Sequence, residues 1–126
     1  MAYERKVVSI TTDAGGAGSG SVEIPIGAKL DRICYVADGS NPYANTVDFT
    51  ITLEATGETL WSEANIAATK TVAPRQPTHT SAAAAALYAA AGQAVLDKIS
   101  IVRDRILITL AQGGATKSGS FHFILE

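Results

Sequence analysis

With 126 residues, and ten Lys and Arg against twelve Asp and Glu for a formal charge of −2, the chain is one domain in size and shows no basic footprint for nucleic acid. Nearly half the residues are hydrophobic but 22 are alanine, so large apolar side chains are scarce; a thin core supported by oligomerisation or by a partner is expected. The single cysteine, Cys34 in RICYVA, excludes an internal disulfide and reads as a small buried hydrophobe in a protein made under reducing conditions.

The N-terminal MAYERKVVSITTD is charged from its start and lacks the apolar stretch of a signal peptide, so export by that route is not expected. KVVSITT has strand character. Residues 1–20, which run into the glycine-rich GGAGSGS, also have the make-up of a flexible arm that adds to another chain's sheet. SVEI and LDRICYVA follow as strands on either side of the breaker IPIG, and DGSNPYAN at 38–45 interrupts the chain again. TVDFTITLEA gives the clearest strand, with Val47, Phe49, Ile51 and Leu53 on one face and Asp48, Thr50, Thr52 and Glu54 on the other. ATGE places a glycine at a tight reversal and TLWSEA resumes extended character, so residues 46–64 read as a β-hairpin.

IAATKTVA is a further strand and APRQP at 73–77 a breaker. The alanine run that follows, within THTSAAAAALYAAAG, is about ten residues, roughly half of what a membrane-spanning helix needs, so no membrane partner is expected. Propensity favours a turn or two of helix there. The Pro-rich entry and the exit at Gly92 instead favour an irregular loop, so residues 73–95 read as a long Ala-rich connection whose small side chains let another backbone approach. KISIV, RILITLAQ and SGSFHFILE complete eight or nine strands. In the last two, Ile106, Ile108 and Leu110 alternate with Leu107 and Thr109, and Phe121, Phe123 and Leu125 alternate with His122 and Ile124, as central strands do. Their outward residues are not uniformly polar, so either both sheet faces are covered or one meets another subunit. The fold class is all-β: a single antiparallel β-sandwich domain over 1–126, with the strand number favouring a jelly roll.

No pattern for chemistry emerges. The glycines at 15, 16, 18 and 20 miss the dinucleotide-binding spacing, and GGATKSG has Thr116 where a phosphate loop requires glycine. Two histidines, His79 and His122, and one cysteine lack the spacing of a structural zinc site. His122 reads as a packed or hydrogen-bonded strand residue, and His79 as a loop hydrogen-bonder or an interface residue. No GxSxG is present, and Asp48 and Glu54 sit on the solvent side of a regular strand. No catalytic, cofactor-binding or metal-binding residue is therefore assigned, and no small-molecule substrate is expected. Trp61 with Tyr35, Tyr43 and Tyr88 could line a sugar platform, although a lone tryptophan at a hairpin end is more often core or interface.

From about residue 30 onward, DFTITLEATGETLW, APRQPTHTSAAAAALYAAAGQAVLDKISIVRDRI and TLAQGGATKSGSFHFILE resemble small structural proteins of tailed double-stranded DNA bacteriophages, of the capsid decoration or cement type. The resemblance implies a β-sandwich or jelly-roll dimer or trimer that is made in the host cytoplasm, resides on the virion and binds the major capsid protein, without enzymatic activity. A head-to-tail joining or tail structural protein, or a carbohydrate-binding module, are the alternatives. Under this reading Pro74, Arg75, His79 and the 82–91 run, with Ala84, Ala86, Leu87 and Tyr88, lie at an interface, and Trp61 serves as a nearby apolar anchor.

Overall fold

Strand residues that alternate between large apolar and small or polar side chains can bury one face and leave the other to solvent, and this chain uses that rule almost throughout. A computed structural model describes residues 3–126, in which ten strands and no helix are found. They are β1 (Glu4–Thr11), β2 (Gly18–Ile24), β3 (Ala28–Ala37), β4 (Asp48–Leu53), β5 (Thr59–Glu63), β6 (Lys70–Val72), β7 (Arg75–Pro77), β8 (Leu96–Ile101), β9 (Asp104–Ala111) and β10 (Ser118–Leu125). Sheet A has the order β1-β10-β3-β8-β7, with β6 also pairing with β3, and sheet B the order β2-β9-β4-β5. All pairings are antiparallel, and the two sheets form a β-sandwich.

Phe121, Phe123 and Leu125 of β10, Ile33 and Tyr35 of β3, and Ile99 and Ile101 of β8 face Ile106, Ile108 and Leu110 of β9 and Phe49, Ile51 and Leu53 of β4 in one buried cluster. Phe49 holds its centre, edge-on to Tyr35 at 4.8 Å, Phe121 at 4.9 Å and Trp61 at 5.3 Å between ring centroids. The thin interior expected from composition is not found. No alanine is among the buried core residues, because the alanines are concentrated in loops and the interior is filled by large aliphatic and aromatic side chains of the strands.

The β4–β5 hairpin closes as expected, with Gly57 at φ +73°, a conformation open to glycine without penalty, and its N–H donating to the Leu53 carbonyl at 2.8 Å. As their alternation suggested, β9 and β10 are interior strands of their sheets. At Gly119 of β10 the aromatic core presses on the backbone. A Cβ there would lie 2.6 Å from Tyr43 Cε2 and 2.9 Å from Tyr35 Cε1.

Three expectations are corrected. Residues 4–20 are not a free arm: β1 pairs along its whole length with β10, and Gly18 to Gly20 begin β2 against β9. Val8 and Ile10 alternate inward and pack beside Gly18 and Gly20, so burial draws the segment onto the sandwich. Met1 and Ala2 lie outside the described residues. Secondly, IAATKTVA is extended only at Lys70–Val72, with Ile66 buried in the preceding loop. Thirdly, the breaker APRQP contains β7, whose Arg75–Pro77 pairs with Lys98–Leu96; proline is tolerated because β7 is the outer edge of its sheet.

Candidate interaction surface

The alanine-rich segment takes the non-helical form, yet it is ordered by its own backbone. It extends the β7–β8 pair outward as two small reversals. Thr80 N–H donates to the Ala84 carbonyl at 2.8 Å, and Tyr88 N–H to the Gln93 carbonyl at 3.0 Å. Ala86 sits between two flanking segments, donating to the Thr78 carbonyl at 3.0 Å and accepting from Val95 N–H at 2.9 Å. Thr78 closes the base through its own N–H and its hydroxyl, both to the Val95 carbonyl, at 2.9 and 2.8 Å. A helix of this length is marginal in water. Bonds between neighbouring segments of the same chain satisfy these backbone groups while Pro77 and β8 fix both ends. Ala83 and Ala91, at φ +64° and +56°, lie in the two reversals in the left-handed region that costs an alanine about 1–2 kcal/mol.

The consequence is a protrusion whose side chains point away from the sandwich. Residues 79–85 and 87–93 are exposed and Ala86 is half-buried. Leu87 is 42 % and Tyr88 75 % exposed, both far above what large apolar side chains show in a core. From Thr78 to Val95 the segment contains no Lys, Arg, Asp or Glu. Of the residues assigned to an interface by sequence, His79, Ala84, Ala86, Leu87 and Tyr88 are thus brought together on one extension. The His79 ring makes no hydrogen bond to a described residue, so its loop is held by backbone, not by imidazole.

Trp61 is corrected. It is 7 % exposed, stands edge-on to Phe49 and donates from Nε1 to Glu63 Oε1 at 3.0 Å. Leu60 beside it is also buried, because the register shifts within the β4–β5 ladder and breaks strict alternation. An enclosed indole offers neither an anchor nor a sugar platform. Of the tyrosines grouped with it, Tyr35 and Tyr43 are buried, and Tyr43 donates to the Ile10 carbonyl at 2.6 Å. Burial pushes the Tyr43 phenol well above the ordinary tyrosine range.

Pro74 and Arg75 belong to the stem of the protrusion. Arg75 turns back onto the sandwich, donating from Nη1 to the Asp31 carbonyl at 3.0 Å and to the Pro74 carbonyl at 2.9 Å, with Nη2 3.9 Å from Asp31 Oδ1. Asp31, only 7 % exposed, also accepts from Arg32 Nε at 2.9 Å and lies 3.2 Å from Lys98 Nζ. Lys98 in turn pairs with Glu126. The Arg32 hydrogen bond first, then Lys98, holds the Asp31 carboxyl below its usual range against the opposing effect of burial. The hydrogen bond from Lys98 does the same for Glu126, and Glu126 raises Lys98 in return. Asp31 therefore clamps β3 to β7 and β8. Sequence reasoning passed over it, although the adjacent charges Asp31 and Arg32 interrupt the apolar run LDRIC where the β3–β10 register shifts.

His122 is hydrogen-bonded, as expected: Nδ1 lies 2.9 Å from Arg5 Nη1 and Nε2 3.4 Å from Ser120 Oγ. Among the described residues no group of three or more His, Cys, Asp or Glu side chains is placed to hold a metal ion. A shallow hollow of about 390 Å³ lies between Gly27, Ala28, Lys29, Ser100, Val102 and Glu126. No protein-family model matches the chain, and no curated protein matches it.

Proposed function

We propose that this protein is a virion structural protein that binds the outer surface of a phage capsid as a homo-oligomer and bridges neighbouring major capsid subunits. The observation that carries the reading is the 79–93 protrusion: uncharged, largely exposed and ordered by backbone bonds, with Leu87 and Tyr88 as its large exposed apolar side chains. Small side chains on an ordered extension allow close backbone approach, and a large apolar pair supplies the area that a binding surface buries at its centre. The resemblance of the sequence from about residue 30 onward to capsid decoration proteins supports the same role. The strand order, β1-β10-β3-β8 in one sheet over β2-β9-β4-β5 in the other, supports reading the sandwich as a jelly roll of the kind such proteins use.

The mechanism is adhesion. Each bound copy raises the free energy of separating the subunits beneath it, by mass action on the assembled shell. The test is co-sedimentation of the purified chain with undecorated phage shells. Ala84→Glu, at an exposed position, is expected to leave the melting temperature unchanged and to abolish co-sedimentation. Unchanged occupancy would refute the assignment of the protrusion. Copies per particle, counted by quantitative mass spectrometry, separate a decoration protein at hundreds of copies from a head-to-tail or tail protein present in a single ring.

A further inference from the structure

The charges of this protein are divided between its two broad faces. Register places Arg5, Lys29, Arg32, Arg75 and Lys98 on the outer side of sheet A, with Asp31 and Glu126 as the carboxylates among them. Five cations against two anions leave that face at +3, although the whole chain carries −2. The outer side of sheet B is the opposite in sign: Glu23, Asp48 and Glu54 stand against Arg105. Between its charges sheet B presents Ser19, Ser21, Thr50, Thr52 and Thr109.

Two features make the basic face more than an excess of charge. Both its carboxylates are already engaged: Asp31 by Arg32, Arg75 and Lys98, and Glu126 by Lys98. Arg5 and Lys29 have no carboxylate partner among the described residues, and the Arg5 guanidinium is hydrogen-bonded at 2.9 Å to the ring nitrogen Nδ1 of His122. Apolar side chains lie between the cations. Ile124 stands in register between Arg5 and Arg32, while Val7 in the next outward-facing row and Val36 in the row beyond it are 50 % and 41 % exposed. A hollow of about 290 Å³, lined by Tyr3, Arg5, Asp31, Arg32, Cys34 and Ile124, opens there, large enough for a carboxylate side chain.

From this we infer that the outer face of sheet A docks onto an acidic protein surface, a partner Glu or Asp side chain entering the hollow between Arg5 and Arg32. The inference deepens the capsid reading, on which it rests for the partner's identity. The face is continuous with the protrusion, because Arg75 and Lys98 are both basic-face residues and the stem of residues 79–93. Guanidinium groups desolvated beside apolar contacts recognise carboxylates by paired hydrogen bonds. A nucleic-acid backbone would leave Val7, Val36 and Ile124 without an apolar partner, which favours protein.

The experiment measures retention of the full chain on immobilised random glutamate–tyrosine copolymer, on a short DNA duplex and on undecorated phage shells, at low and high salt. Arg5→Glu and Lys29→Glu are the variants, since neither residue is in an ion pair; unchanged melting temperatures confirm that both fold. The wild type is expected to bind the copolymer in preference to DNA, with affinity falling at least about tenfold in the double variant and weakening with salt over the range where screening sets in. Preference for DNA, no copolymer retention by the wild type, or copolymer binding indifferent to both reversals would overturn the docking face. Shell binding lost in Ala84→Glu but kept in the double variant overturns it too, and leaves the capsid reading standing. Arginine-dependent copolymer binding by a chain that ignores shells supports the face and refutes the capsid reading.

Discussion

Replacing Trp61 by alanine tests whether the indole belongs to the interior or to a binding surface. The ring is 7 % exposed and its neighbours Phe49 and Leu60 are themselves buried, so little can collapse into the space it leaves. Removing a buried Trp or Phe costs about 3–5 kcal/mol, the upper part where a cavity persists. The unfolding entropy of a 126-residue domain is roughly 0.26 kcal/mol/K near its midpoint, so the melting temperature should fall by about 10–20 °C. Circular dichroism melts of the wild type and Trp61→Ala measure this, with Tyr88→Ala as the control. Tyr88, at 75 % exposure, should cost no more than about 0.5 kcal/mol, or about 2 °C. A Trp61→Ala midpoint within about 4 °C of wild type would show that the indole is not packed as described, and the sugar-platform alternative would regain its basis.

Gly119→Ala places a methyl 2.6 Å from Tyr43 Cε2, and overpacking of this kind should destabilise the domain by about 1–3 kcal/mol in urea titration; a neutral result would mean the two tyrosine rings can part freely. Asp31→Asn removes the negative charge shared by Arg32, Arg75 and Lys98, so amide exchange should accelerate at Thr78, Ala86 and Val95 while β4 and β9 stay protected. Equal rates in the variant would show that the clamp does not hold the stem. Asp31, Glu63 and Glu126 all have folded-state pKa values depressed by their hydrogen-bonded cations, so the unfolded chain binds more protons as pH falls. Their contribution is present above the unfolded carboxylate pKa of about 4 and is lost as pH falls through the lower folded values. The urea midpoint should hold between about pH 7 and 5 and decline below about 4, less steeply at high salt; a midpoint independent of pH down to about 2.5 would contradict the pairing.

Period-two alternation in TVDFTITLEA, RILITLAQ and SGSFHFILE was enough to place three strands, their inward faces and the all-β class, because side-chain direction in a strand follows local geometry. The protrusion was legible in part: small side chains marked residues 73–95 as a connection that another backbone could approach, but propensity alone left helix and loop both open. What decided it was the pairing of Thr78, Ala86 and Val95, contacts between residues far apart in the local pattern. The same holds for Trp61, whose enclosure depends on a register shift between β4 and β5, and for residues 4–11, drawn into the sandwich by β10 from the other end of the chain. The division of charge is the furthest from the sequence. Arg5, Lys29, Arg32, Arg75 and Lys98 are spread over most of the chain, and only the stacking of β1, β3, β7 and β8 in one sheet gathers them on one side. Local alternation fixes which way a residue points, while strand order, set by the burial of the whole interior, fixes what it points beside.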